Sequence, residues 1–387
     1  MRTFQHKISS ALFLIVLIFL SNMREAPADE LKSNTQATMQ EIFRALTEAF
    51  PLSLNEQQFQ DPINRPRILS ALHLLSKNAA KLDTHGRGLN LSFDSPRRSL
   101  VSNARDAVQL YEQGQYKASR FVLHELTENC FVCHSKLPSY RYFDLGKRFI
   151  ENVNVGSLPI KDQVRLEVAA RQFDMALETY ETIFHSPSMT AGEIDLLGAF
   201  EDYLKICIRV YNDFPRAITA LEEFQQRSDV HPYLANYLVN WVEALKELQL
   251  YKPNGNELTH SRELIQNAQL QNRFPADRRG LVYFVVASSL LHRYVATHPT
   301  DKTHLAEAYY LLGIAESYIR SSWIPETEFF LETAIRLDPT SSLAEKAYTF
   351  LEEYTLSRYT GSSGVHLPSE VQTNLNELHQ LIKGTPN

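Results

Sequence analysis

Tyr116-Lys-Ala-Ser-Arg-Phe-Val-Leu-His-Glu-Leu-Thr-Glu-Asn-Cys-Phe-Val-Cys-His134 is the stretch on which the reading of this chain turns. Ala118, Val122, Leu126, Cys130 and Cys133 recur at helical spacing, which predicts a helix that ends before Pro138. It closes on Cys130-Phe131-Val132-Cys133-His134, a C-x-x-C-H motif. Two intervening residues put both thiols on one side of a helical turn, and the next residue swings an imidazole beside them. That geometry suits one covalently attached haem c, with Cys130 and Cys133 adding across its vinyl groups and His134 as proximal iron ligand. A thioredoxin-like C-x-x-C would follow a strand and open a helix, whereas this one closes a helical pattern. A zinc site would need further ligands, and the third cysteine, Cys207, sits in an apolar helical stretch that reads as a buried, inert thiol.

Three amphipathic segments precede the motif. The first carries Met39, Ile42, Phe43, Leu46 and Phe50 and is expected to stop at Pro51; the second carries Ile68, Leu72, Leu75, Ala79 and Leu82 and stops at Gly86. The third opens with Asp94-Ser95-Pro96, proline in the first turn, and carries Leu100, Ala104, Ala107, Val108 and Tyr111 before Gly114. Short connections between four such helices predict an all-α unit, an antiparallel four-helix bundle over residues 29–140. In that arrangement the end of the fourth helix lies beside the start of the first, so Met39 is the candidate distal iron ligand. Arg97 and Arg98, at the start of the third helix, are candidates for the haem propionates, because guanidinium forks match carboxylates. His85 reads as a loop histidine, and His73 and His124 as mid-helix residues away from the haem end.

A four-helix bundle whose only C-x-x-C-H closes its last helix resembles the cytochrome c prime family and its low-spin, methionine-ligated relatives. Arg105-Asp106-Ala107-Val108, Gly114-Gln115-Tyr116 and Thr127-Glu128-Asn129-Cys130 are similar to that family's third and fourth helices, and the resemblance covers residues 32–140. It implies haem binding at Cys130, Cys133 and His134. It further implies that the Met39 position holds either a ligating methionine or an apolar residue; Met39 with Ile42 and Leu46 matches the ligating pattern. Members of the family often dimerise through their first two helices, so a homodimer is compatible with it.

Residues 141–387 read as a helical-repeat domain. Ala306-Glu-Ala308-Tyr-Tyr-Leu-Leu-Gly313 followed by Ala334-Ile-Arg-Leu-Asp-Pro339 looks like a tetratricopeptide repeat, with Gly313 allowing close helix approach, Pro339 closing the second helix and extra length at Ser321-Ser322-Trp323. Ala169-Ala-Arg-Gln-Phe-Asp-Met-Ala176 resembles the middle of another. Thr360 to Gly364 breaks helicity before the last helix. No Gly-rich phosphate loop or nucleophile constellation accompanies these helices.

The first 28 residues read as a leader: Arg2 and Lys7, the apolar run Ala11 to Leu20, then Ala26-Pro27-Ala28 as a cleavage pattern. An uncleaved anchor is the alternative, but ten apolar residues span about 15 Å as a helix, roughly half a bilayer core. The expected location is therefore the periplasm, with no stable membrane span in the mature chain. The whole chain has 387 residues and a formal charge of −6, which leaves no nucleic-acid footprint. Its 13 glycines and 17 prolines favour helices over a turn-rich β protein. Residues 29–140 hold 13 basic and 12 acidic side chains, whereas 141–387 hold 23 and 32, so the acidity lies in the second half. An acidic repeat surface would favour a basic redox partner. The expected function is one-electron transfer rather than enzymatic turnover; a five-coordinate haem protein binding nitric oxide or carbon monoxide, or an interaction scaffold with structural haem, are the alternatives.

Overall fold

The apolar stripes form helices. The computed structural model describes residues 28–85, 93–136, 144–153, 155–251, 256–273, 277–319, 324–362 and 364–384. The proposed leader, the break at Gly86, the residues before and at Pro138, the boundary at 140 and the Ser321-Ser322-Trp323 turn lie outside these or at their edge. Within them the molecule is all-α, with one short antiparallel hairpin, β1 (Thr360–Gly361) and β2 (Gly364–Val365).

The helices of the first half are α1 (Ala28–Ser53), the one-turn α2 (Glu56–Gln60), α3 (Arg65–His85), α4 (Asp94–Glu112) and α5 (Tyr116–His134). Helix α1 packs along α3, α3 along α4 and α4 along α5, and α5 touches α1 again. Ile42, Leu46, Phe50, Ile68, Leu72, Leu75, Ala104, Ala107 and Leu126 are buried in the core they share. Helix α1 does not stop at Pro51 as the sequence suggests; it runs on to Ser53. Proline removes one amide from the ladder, and the carbonyls left at the helix end are taken up from α5, where Arg120 donates to the oxygens of Ser53 and Leu54.

The second half comprises α6 (Asp144–Asn152), α7 (Ile160–Ala169), α8 (Phe173–Phe184), α9 (Ala191–Leu196), α10 (Ala199–Lys205), a π-helical turn at Ile206–Tyr211, α11 (Phe214–Gln225), α12 (Pro232–Leu248), α13 (Glu257–Gln271), α14 (Leu281–Thr297), α15 (Lys302–Tyr318), α16 (Glu326–Leu337), α17 (Ser342–Arg358) and α18 (Ser369–Lys383). From α13 to α18 each helix packs against the next. A Cβ at Gly313 on α15 would stand 2.6 Å from Leu331 Cγ on α16, so only glycine permits that approach. Helix α16 ends at Leu337, two residues before Pro339.

Helix α7 joins the two halves. Its Leu166 and Ala169 belong to the core around α1–α5, whereas Val164 and Val168 belong to the core of α8–α18. The first core therefore continues beyond residue 140, to Ala170.

Candidate haem site

The end of α5 forms one wall of an apolar cavity of ≈ 290 Å³, with ≈ 920 Å³ of empty space when its opening to solvent is included. Helix α1 contributes Thr35 and Met39 to the lining, one helical turn apart. Leu82 comes from α3; Phe93, Arg97 and Leu100 come from the start of α4; Asn129, Cys130, Cys133 and His134 come from α5. The packing of α1 against α5 thus brings residue 39 to the same cavity as the C-x-x-C-H motif 91 to 95 residues later.

Each polar group in this cavity has a definable state. Cys130 and Cys133 form no disulfide, and burial pushes both thiols up to about 12, so they are uncharged. Burial also drives the His134 pKa down to about 4, with the Arg171 guanidinium acting in the same direction and the carbonyl of Val168 opposing it. A carbonyl can only accept, so the 3.3 Å contact assigns the proton to Nδ1, which donates to Val168 O. That tautomer leaves the Nε2 lone pair for a metal, and the carbonyl fixes the ring as the outer partner of a metal-bound histidine does. Asn129 is buried, and its Oδ1 accepts no hydrogen bond among the described residues.

The two arginines diverge. Arg97 is 5 % exposed, lines the cavity, and pairs with Asp94 in the first turn of α4 at 2.6 Å. Arg98 is exposed and stands over Phe329 of α16, 5.6 Å from the ring centroid, away from the cavity lining. The remaining histidines of the first half have other partners. His73 is exposed and lies 3.0 Å from Glu112. His124 stacks on Phe50 at 5.0 Å and sits 2.9 Å from Ser53 Oγ. The side chain of His85 is outside the described residues. Cys207 is fully buried in the second core, its thiol pushed up by burial.

Contacts absent from the sequence reading tie the end of α5 to the second half. Lys136, two residues past His134, is 1 % exposed and forms a buried ion pair with Glu326 at the start of α16. Its ammonium also lies 5.8 Å from the Phe93 ring and 5.2 Å from that of Phe330. Arg165 of α7 pairs with Glu128 on the last turns of α5 and reaches Glu125 at 3.5 Å. Nothing in the local pattern around Lys136 or Val168 marks either, because both partners are remote in sequence.

The donor set fits a c-type haem: two uncharged, unbridged thiols, a neutral imidazole oriented through Nδ1, a thioether in the same cavity and apolar walls. Among the described residues, no three His, Cys, Asp or Glu side chains are grouped to hold a bare metal ion. A larger depression of ≈ 630 Å³ on α8, lined by Glu178, Glu181, Thr182, His185, Ser186 and Pro187, is wide open and shares no residue with the cavity. Also among the described residues, no helix is long and apolar enough to cross a membrane. Comparisons with protein-family models, curated proteins and solved structures find no match to this chain.

Proposed function

We propose that this chain is an exported, monohaem c-type cytochrome that transfers single electrons. The observation that carries the reading is the shared cavity: Met39, Cys130, Cys133 and His134 line one apolar space although they come from opposite ends of a 96-residue segment. Helices α1, α3, α4 and α5 then constitute an antiparallel four-helix bundle. The second half constitutes a tetratricopeptide-like array, with the close Gly313–Leu331 approach as support.

Bound in the cavity, a haem supplies an iron that alternates between ferrous and ferric states. The chain does the rest. Cys130 and Cys133 would hold the group covalently, each thiol able to add its S–H across a vinyl group with no leaving group required. His134 Nε2 would bind the iron while its Nδ1–H stays on Val168 O. Met39 would supply a second ligand, a soft thioether that raises the potential toward the range used in electron transfer. Arg97 is the cationic residue of the wall suited to a propionate, whereas Arg98 is engaged with Phe329. The acidic second half would dock a basic redox partner.

The test is Met39→Ala in the haem-loaded protein. Loss of the thioether should convert a low-spin absorption spectrum to a high-spin one and open the iron to carbon monoxide. A spectrum unchanged by the substitution would remove Met39 as a ligand, and one that is high-spin already in the unsubstituted protein would favour gas binding at an open face.

A further inference from the structure

Helix α7 ends in a turn whose backbone favours glycine. Arg171 has φ +58°, its N–H donates to Val168 O at 2.9 Å, and the N–H of Gln172 donates to Glu167 O at 2.8 Å. These are the two bonds of a Schellman turn. The turn between α4 and α5 has the same pair: Gly114 N–H to Tyr111 O at 3.1 Å and Gln115 N–H to Leu110 O at 2.9 Å, with Gly114 at φ +74°. One turn uses glycine and the other uses arginine. A Cβ in the left-handed region crowds the next carbonyl, so the arginine carries strain that glycine would avoid. An outlier of this kind directs attention to its side chain.

The carbonyl that this turn holds, Val168 O, accepts both the Arg171 amide and His134 Nδ1–H. The Arg171 side chain is half-buried at this turn, with its Nε enclosed by the protein. We propose that Arg171 is a positioning residue of the haem site: its backbone holds the carbonyl that orients His134, and its permanent positive charge favours the reduced iron. The inference rests on the haem reading above. Ferric iron carries one more positive charge than ferrous, so a nearby cation destabilises the oxidised state and raises the potential. Arginine suits the task because it remains protonated at all working pH values.

The experiment compares the reduction potentials of the full-length, haem-loaded protein with those of Arg171→Gly and Arg171→Lys, recording the absorption spectrum alongside. Glycine accepts the left-handed backbone, so Arg171→Gly should fold and keep its spectrum. At a fixed applied potential its ratio of reduced to oxidised haem should fall about tenfold, a shift of 59 mV for one electron. Arg171→Lys keeps the charge and should remain within about twofold of wild type. A wild-type potential in Arg171→Gly, or an equal fall in Arg171→Lys, would overturn the role of the charge. A protein purified without haem would overturn the site reading itself, which is a separate failure.

Discussion

The two ends of α5 are built in different ways. At its start, the turn through Gly114 closes through bonds spanning three to five residues, and Tyr111 and Tyr116 meet edge to face at 5.0 Å across it. Its glycine faces open space, with nothing within 4 Å of where a Cβ would stand. At its other end, Cys130 to Lys136 is enclosed by residues remote in sequence: Met39, Val168, and Glu326, the last 190 positions away from its partner. The first end follows a local rule. The second departs from local rules, with Lys136 in the core and Arg171 in a left-handed turn.

The largest expected effect comes from breaking the remote enclosure. Glu326→Gln leaves the Lys136 ammonium buried without its counter-charge and should cost about 3–5 kcal/mol in urea denaturation. Replacing both partners, Lys136→Met with Glu326→Leu, should recover most of that loss; unchanged stability in the single variant would mean that α16 does not close this end.

Acid should act on the cores and spare the Gly114 turn. Burial lowers the His292 pKa from about 6.5 to about 4, so the folded state keeps it neutral while the unfolded chain takes up a proton. Its contribution is complete above the unfolded value and is lost as pH falls from about 6.5 toward 4, an effect of about 1–3 kcal/mol. His124 is shifted in the same direction, mainly by burial. Denaturation midpoints at pH 7 and pH 5 check this, and His292→Gln should flatten the dependence.

The smallest effect belongs to the local end. Gly114→Arg places a side chain in the left-handed region with no site to serve, and should cost about 1 kcal/mol in thermal or urea unfolding. Its reduction potential should match wild type, in contrast to that of Arg171→Gly. A shifted potential in Gly114→Arg would erase the distinction between the two turns.

The all-α class and the first-half helices were legible because their apolar stripes are strict: Ile42, Leu46, Phe50, Ile68, Leu72, Leu75, Leu100, Ala104, Ala107 and Tyr111 are all buried as their spacing predicts. The stripe on α5 was less exact. Ala118 and Val122 are only half-buried, while Ser119, Leu123 and Thr127 are buried, because α5 packs against α7 as well as α4. A helix covered on two sides has a wider buried face than a single stripe conveys. The proximity of Met39 to the Cys130–His134 motif followed from chain reversal alone. Arg98 looked equivalent to Arg97, but its place on the helix turns it toward Phe329. Lys136, Glu326 and Val168 gave no sequence signal, since a buried ion pair or a carbonyl acceptor becomes visible only when remote segments meet. Arg171 did leave a trace: it stands before Gln172-Phe173 as Gly114 stands before Gln115-Tyr116.

The central claim is covalent haem at Cys130 and Cys133, and the intact mass of the full chain after expression in an export-competent host tests it directly. Under denaturing conditions the account predicts a processed chain carrying the mass of one haem, lost in Cys130→Ser with Cys133→Ser. A denatured chain at the bare polypeptide mass would contradict it.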